Sequence, residues 1–134
     1  CPLCRVLDPR LADAVDRFTD HGVTLVEIDM TRLTRSDDDA QKALVAQLQA
    51  LTTAHDAAYL WEWYGGHAGI AIIIAADNGE PLSCITTALS TSQIEDRLQE
   101  GLVLATKVKP GHRRPNGTDC PPPMPNRTLV QPIP

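Results

Sequence analysis

The residues whose types and spacing most clearly suggest a reaction are two cysteines separated by two residues, in the segment Cys1-Pro2-Leu3-Cys4. Apolar residues at helical spacing follow them, so the pair is predicted to open a helix. Unpaired amides and the helix dipole at that end stabilise an anion and lower the pKa of the first thiol. The two-residue spacer lets both sulfurs close a small disulfide ring. The segment therefore predicts a dithiol pair that can carry two electrons.

The positions of the other cysteines make a metal site a weaker interpretation of the motif than a dithiol pair. Zinc would need two more ligands, but Cys84, Cys120 and the four histidines show no paired spacing. Cys84 falls on a predicted strand and is interpreted as a small core residue. Cys120 falls in a proline-rich segment and is interpreted as an exposed thiol. We therefore expect no metal ion.

The residues after the cysteine pair predict a helix followed by a strand. Apolar positions recur at helical spacing from Cys4 to Phe18, with Pro9 early in the helix and His21-Gly22 as its stop. The run Val23 to Met30 is almost continuously apolar, as in a strand covered on both faces. This order favours an α/β sheet.

A second helix is predicted to begin near Ser36, which forms an apparent capping box with Asp39. Its apolar period continues to Tyr64 and stops at Gly65-Gly66. The acidic run 37–39 is interpreted as complementing the helix N-terminus rather than binding a metal.

The following residues predict a β-hairpin. A buried strand over 69–76 leads into Asp77-Asn78-Gly79, because Asn-Gly accepts the positive φ angles that tight turns require. The segment 80–87 returns antiparallel, with Pro81 near its start, where a missing amide donor is tolerated.

A last helix completes an α-β-α-β-β-α order. Ser92 and Glu95 suggest its capping box, and Ile94, Leu98 and Leu102 form its apolar face. Eight of the eleven prolines lie from Pro110 onward. We therefore predict an α/β domain over 1–105 and an extended or disordered tail over 106–134.

Several of these segments resemble the thioredoxin family. The segment Cys1 to Pro9 looks like that family's Cys-x-x-Cys, basic residue and helix-kinking proline. Val26-Glu27-Ile28-Asp29 is similar to its second core strand, and Gly69-Ile70-Ala71 with the strand and turn that follow is similar to its Gly-Ile-Pro and hairpin. The resemblance covers about residues 1–102. Asp29-Met30-Thr31 and the helix after it are further similar to the C-terminal domain of bacterial thiol:disulfide interchange proteins.

This resemblance implies a thioredoxin-like sheet with flanking helices and thiol–disulfide exchange with protein substrates. Cys1 would attack a substrate disulfide and Cys4 would resolve the mixed disulfide, without a cofactor. An upstream redox partner would restore the pair. The implied substrate-binding residues are Pro2, Leu3, His67, Gly69, Ile70 and Ala71.

The sequence departs from the family pattern at two points, and the second of them motivates an alternative. The family's first core strand precedes the cysteine motif, so we expect the sequence to be truncated at its N-terminal side. The position of the family's cis-proline is taken by Ala71, where a trans peptide is expected because a non-proline cis bond costs about 2.5–4 kcal/mol. The alternative is a thioredoxin-fold binding or scaffold domain with altered catalysis. His67 and one of Trp61 and Trp63 are expected near the groove.

Composition limits the classes of partner, and the resemblance bears on the compartment. The 134 residues are 43% hydrophobic and 22% charged, as in ordinary globular domains. A formal charge of −5 without basic clusters argues against nucleic-acid binding. The longest apolar run, Ala68 to Ala76, is too short for a transmembrane segment. The interchange-type resemblance favours an extracytoplasmic location and leaves the cytoplasm open.

Overall fold

The computed structural model describes residues 2–27, 37–60 and 69–113, which form a mixed α/β structure. The elements are α1 (Pro2–Asp16), a 3₁₀ turn (Thr19–His21), α2 (Asp38–Ala54), β1 (Ile70–Ile74), β2 (Pro81–Thr86) and α3 (Thr91–Lys107).

Helix α1 forms where the apolar spacing predicts it and contains Pro9. It ends at Asp16 rather than Phe18, because the Phe18 amide donates to the Val15 carbonyl at 2.8 Å and tightens the chain into the 3₁₀ turn. Gly22 then adopts a left-handed φ of 81°, as expected of a glycine that ends a helical segment.

Strands β1 and β2 form the predicted antiparallel hairpin, although both are shorter than the sequence suggests. The Gly79 amide donates to the Ala75 carbonyl at 2.8 Å, and Gly79 has the positive φ of 72° that its place in the turn requires. The register shifts between Ile73 and Ile74, where Pro81 lies opposite Ile74. A residue without an amide proton is tolerated at such an irregularity.

One face of the hairpin packs against α1 and α3. Ile85 and Ile94 are 1% and 0% exposed at the centre of this core. Gly101 brings α3 close to the sheet, since a methyl group there would lie 3.1 Å from Ile73 Cγ2. The buried residues of this cluster are Leu7, Leu11, Ala14, Val15, Ile85, Ile94 and Leu98.

The predicted strand over 23–30 is wrong for residues 23–27, which pair with neither β1 nor β2. Val23 and Leu25 pack against the core, whereas Thr24 is exposed and Val26 is 46% exposed. The segment is thus covered on one side only, because a run of apolar residues supplies neither a pairing partner nor a second covering layer. Residues 28–30 lie outside the described part.

The N-cap of helix α2 lies one residue later than predicted. Asp37, not Ser36, is the N-cap, and its carboxylate accepts from the Ala40 amide at 2.8 Å. A carboxylate also interacts favourably with the helix dipole, which explains the correction and confirms the role predicted for the acidic run. The predicted continuation to Tyr64 is interrupted at 55–57, whereas residues 58–60 are helical again and 61–64 lie outside the described residues. The helix ends at Ala54, and Asp56 adopts a positive φ of 57°.

Helix α3, in contrast to α2, starts earlier than predicted. Ser90 is the N-cap and forms a capping box with Gln93, so the predicted box of Ser92 and Glu95 is wrong. Glu95 instead pairs with Arg17 of the α1 side at 3.2 Å. The helix runs to Lys107, and packing continues to Arg113, so ordered contacts extend past the domain boundary predicted at 105.

None of the helices among residues 2–27, 37–60 and 69–113 has the length and apolar character required to cross a membrane.

Candidate functional site

Cys4 lies in the first turn of α1, where its side chain is partly buried and disulfide-bonded. The first turn carries no acidic residue, so no carboxylate within it opposes the positive end of the helix dipole. Pro2 and Leu3 are exposed beside Cys4. Cys1 lies outside the described residues. The first turn of α1 therefore presents Cys4, the described cysteine of the motif, at the positive end of the helix dipole.

The start of β1 approaches this turn closely. A methyl group at Gly69 would lie 2.6 Å from Leu3 Cβ, a distance that real side chains do not reach. Gly69 also has a positive φ of 69°, which disfavours any other residue. The structure thus brings together Leu3 and Gly69, two of the residues predicted to form one site.

The other predicted binding residues divide between core, surface and undescribed positions. Ile70 is half-buried at the start of β1. Ala71 packs against the core, and its preceding peptide is trans because the described residues contain no cis bond. His67, Trp61 and Trp63 lie outside the described residues.

An exposed apolar surface borders Cys4 on α1. Leu3 is 50% exposed and Val6 is 42% exposed, and residues three apart lie on the same side of a helix. The side chains of Leu3 and Val6 thus offer apolar contact area next to Cys4.

Arg10 positions α1 in a way that the sequence did not reveal. Its guanidinium donates to the carbonyl oxygens of Thr87 at 3.1 Å and Leu89 at 3.0 Å, in the loop between β2 and α3. Both acceptors belong to the backbone, so their side chains leave no pattern that sequence reasoning could use.

Cys84 is buried in β2 with 1% exposure, which confirms that it is a core position. It is also disulfide-bonded, so the described part of the chain carries no free thiol. Its burial separates it from the accessible surface around Cys4.

A second polar cluster lies at the hairpin turn, where Arg113 is 4% exposed. Its guanidinium binds the two Asp77 oxygens at 2.5 and 2.8 Å, and its Nε donates to the Val108 carbonyl at 2.9 Å. The Arg113 amide donates to Glu80 Oε2 at 3.3 Å, and Glu80 Oε1 lies 3.8 Å from Nε. This cluster holds the chain after α3 against the turn.

The same contacts determine the ionisation of the cluster. The hydrogen bond from Arg113, followed by its charge, holds the pKa of Asp77 below its usual value despite partial desolvation. The reciprocal hydrogen bond to Asp77 raises the pKa of Arg113. The Glu80 carboxylate is 2% exposed and has Arg113 and Asn78 as partners, so its burial is compensated. The two buried groups of the cluster, Arg113 and Glu80, are paired internally, and the cluster serves as a structural anchor.

Two further features do not add a site. Within residues 2–27, 37–60 and 69–113, no group of three or more His, Cys, Asp or Glu side chains could hold a metal ion. A shallow groove between the C-terminal half of α1 and residues 23–25 contains none of the predicted site residues.

Comparison of the chain with protein-family models, with curated proteins and with solved structures finds no match.

Proposed function

We propose that this chain is a thioredoxin-like thiol–disulfide oxidoreductase that exchanges disulfides with proteins through Cys1 and Cys4. The observation that carries the proposal is the disulfide-bonded Cys4 in the first turn of α1, three residues after Cys1. The two-residue spacer between Cys1 and Cys4 lets both sulfurs close a small disulfide ring. Pro9 within α1 and the approach of Leu3 to Gly69 support the family resemblance.

The exchange is a sequence of two displacements. The Cys1 thiolate attacks one sulfur of a substrate disulfide, whose S–S bond breaks as the Cys1–substrate bond forms and one substrate thiolate leaves. The Cys4 thiolate then attacks the Cys1 sulfur, and the second substrate thiolate leaves. The substrate gains two electrons and the Cys1/Cys4 pair becomes a disulfide. A partner dithiol reverses the change, and relative potentials decide the direction of flow.

Each described element has a part in this mechanism. The amides and dipole of α1 stabilise the thiolates, and the exposed side chains of Leu3 and Val6 offer an apolar surface to the substrate protein. Gly69 allows β1 to approach that surface. An extracytoplasmic location agrees with an exchange function and with the disulfide-bonded state of Cys4 and Cys84.

A binding or scaffold domain of the same fold is the second candidate. It is favoured by Ala71, which stands at the position of the family's cis-proline and follows a trans peptide. Such a domain would retain the apolar surface around Leu3 and Val6 without turnover.

Insulin reduction with dithiothreitol as the electron donor separates the two candidates. The enzyme predicts a rate above background that Cys1→Ser abolishes, whereas the matched control Cys120→Ser retains it. A Cys4→Ser variant should accumulate a mixed disulfide through Cys1. Background rates for the unmodified chain, with no trapped adduct in Cys4→Ser, would leave the binding domain as the better explanation.

A further inference from the structure

The disulfide of Cys84 has no role in the exchange described above. Cys84 lies opposite Ile72 in the ladder of β1 and β2 and is 1% exposed. A sulfur that solvent and substrate disulfides cannot reach exchanges slowly. Its bond therefore has a structural purpose, and the question is which cysteine it joins.

The sheet itself separates Cys84 from α1. Side chains alternate between the two faces of a strand. Ile85 and its partner Ala71 pack with the core that contains α1, so Cys84 and Ile72 point to the opposite face. Cys4 lies one turn before Leu7 on the same side of α1, and Leu7 belongs to that core, so Cys4 lies on the face away from Cys84. Cys4 and Cys84 consequently belong to different disulfides.

The cluster at the hairpin turn fixes where the chain after α3 can go. The Arg113 amide is held on Glu80, and Cys84 follows Glu80 by four residues, about 13 Å along the strand. Seven residues lead from Arg113 to Cys120, and they can span up to about 23–25 Å. Cys120 is therefore within reach of Cys84.

We infer that Cys84 and Cys120 form a structural disulfide that ties the proline-rich segment to the sheet face opposite α1. The inference rests on the proposed function in assigning Cys1 to Cys4. Its formation removes two protons and two electrons from the two thiols, and a disulfide oxidant such as oxidised glutathione takes them up and leaves as two thiols. The chain then carries one accessible exchange disulfide and one buried structural disulfide.

Peptide mapping of the full, unreduced chain tests the pairing, because trypsin places the cysteines on three fragments. Cys1 and Cys4 share residues 1–5, Cys84 falls in 43–97 and Cys120 in 114–127. After free thiols are blocked with iodoacetamide, we expect 43–97 joined to 114–127 and fragment 1–5 lighter by two hydrogen atoms. A link from 1–5 to either larger fragment, or an alkylated Cys84, overturns the inference.

The same map distinguishes this inference from the proposed function. If 43–97 is joined to 114–127 while Cys1 and Cys4 are alkylated, the structural disulfide stands and the exchange pair has been isolated as its dithiol. If the pairing is as inferred but insulin is not reduced, only the enzymatic function fails.

A variant provides a second readout that does not depend on isolating cross-linked fragments. In Cys120→Ser, the joined fragment should be lost completely, and Cys84 should react with iodoacetamide in concentrated urea without a reductant. In the unsubstituted chain, Cys84 should react in urea only after reduction. Labelling of Cys84 in both chains, or in neither, contradicts the pairing.

Discussion

Single residues at the hairpin turn show how one side chain can organise a distant part of the sequence. Arg113 joins the end of the α3 region to Asp77 and Glu80, and it does so with both its guanidinium and its backbone amide. The buried Glu80 carboxylate would be costly without these partners. Asp77 differs from Glu80 because its side chain is 54% exposed, so solvent screens its interaction with Arg113.

The Asp77–Arg113 contact predicts a stability difference that depends on pH. The hydrogen bond from Arg113 lowers the pKa of Asp77 in the folded state, relative to an unfolded value of about 3.9. A carboxyl group of this kind stabilises the fold above its unfolded pKa, and the contribution is lost as the pH falls through the lower folded value. We expect Asp77→Asn to be less stable than the unsubstituted chain at neutral pH, with the difference closing below about pH 4.

Urea unfolding at neutral and acidic pH measures this effect. Asp13→Asn is the control, because it removes the same charge from an exposed position on α1. Added salt should reduce the neutral-pH difference for Asp77→Asn, since the partner carboxylate is more than half exposed. An Asp77→Asn deficit that is as large in acid as at neutral pH contradicts the assignment.

At the scale of helices and strands, the sequence predicts an element well where one local pattern suffices. The apolar spacing of α1, the turn at Gly79 and the buried positions Ile94 and Leu98 of α3 all follow from residues near one another in the chain. The failure of 23–27 to pair with β1 or β2 could not be predicted in this way, because a strand needs a neighbour that the segment does not encode.

Element boundaries and long-range anchors were harder to predict for a related reason. Several residues near each helix start can cap it. Ser90 and Ser92 are each followed three residues later by a glutamine or glutamate, so the choice depends on which serine has the extended backbone of an N-cap. For the candidate site, the sequence identified Leu3 and Gly69 but not Arg10 or Arg113. The two arginines act on groups more than thirty residues away, which no local spacing reveals.

The two serines at the start of α3 allow a matched test of the observed cap. The Ser90 hydroxyl accepts from the Gln93 amide at 3.3 Å, and the Gln93 side chain accepts from the Ser90 amide at 2.9 Å. Ser90→Ala should lower the free energy of unfolding by about 1 kcal/mol. Ser92→Ala should change it by less than about 0.5 kcal/mol, because Ser92 is exposed within the helix. Urea denaturation measures both, and the reverse ranking would restore Ser92 as the cap.

For the molecule as a whole, the sheet is the element that most needs support. A two-stranded hairpin is at best marginally stable in water. Here α1 and α3 cover the face that contains Ile85, while Cys84 is buried on the other face of the same strand. A covalent link on that second face restrains the unfolded chain and thereby favours the folded hairpin.

The inferred disulfide between Cys84 and Cys120 therefore predicts a large redox-dependent change in global stability. It closes the loop from residue 84 to residue 120, and loop-closure entropy for that length corresponds to about 4 kcal/mol. Cys120→Ser should lose about that much under oxidising conditions, because the substitution leaves the buried Cys84 side chain in place. Its urea m-value should rise as the denatured state expands. With dithiothreitol present, the variant and the unsubstituted chain should unfold at the same urea concentration. Equal stability of the two oxidised chains would show that the bond contributes no such restraint, whereas a deficit that persists after reduction would assign the loss to the serine itself.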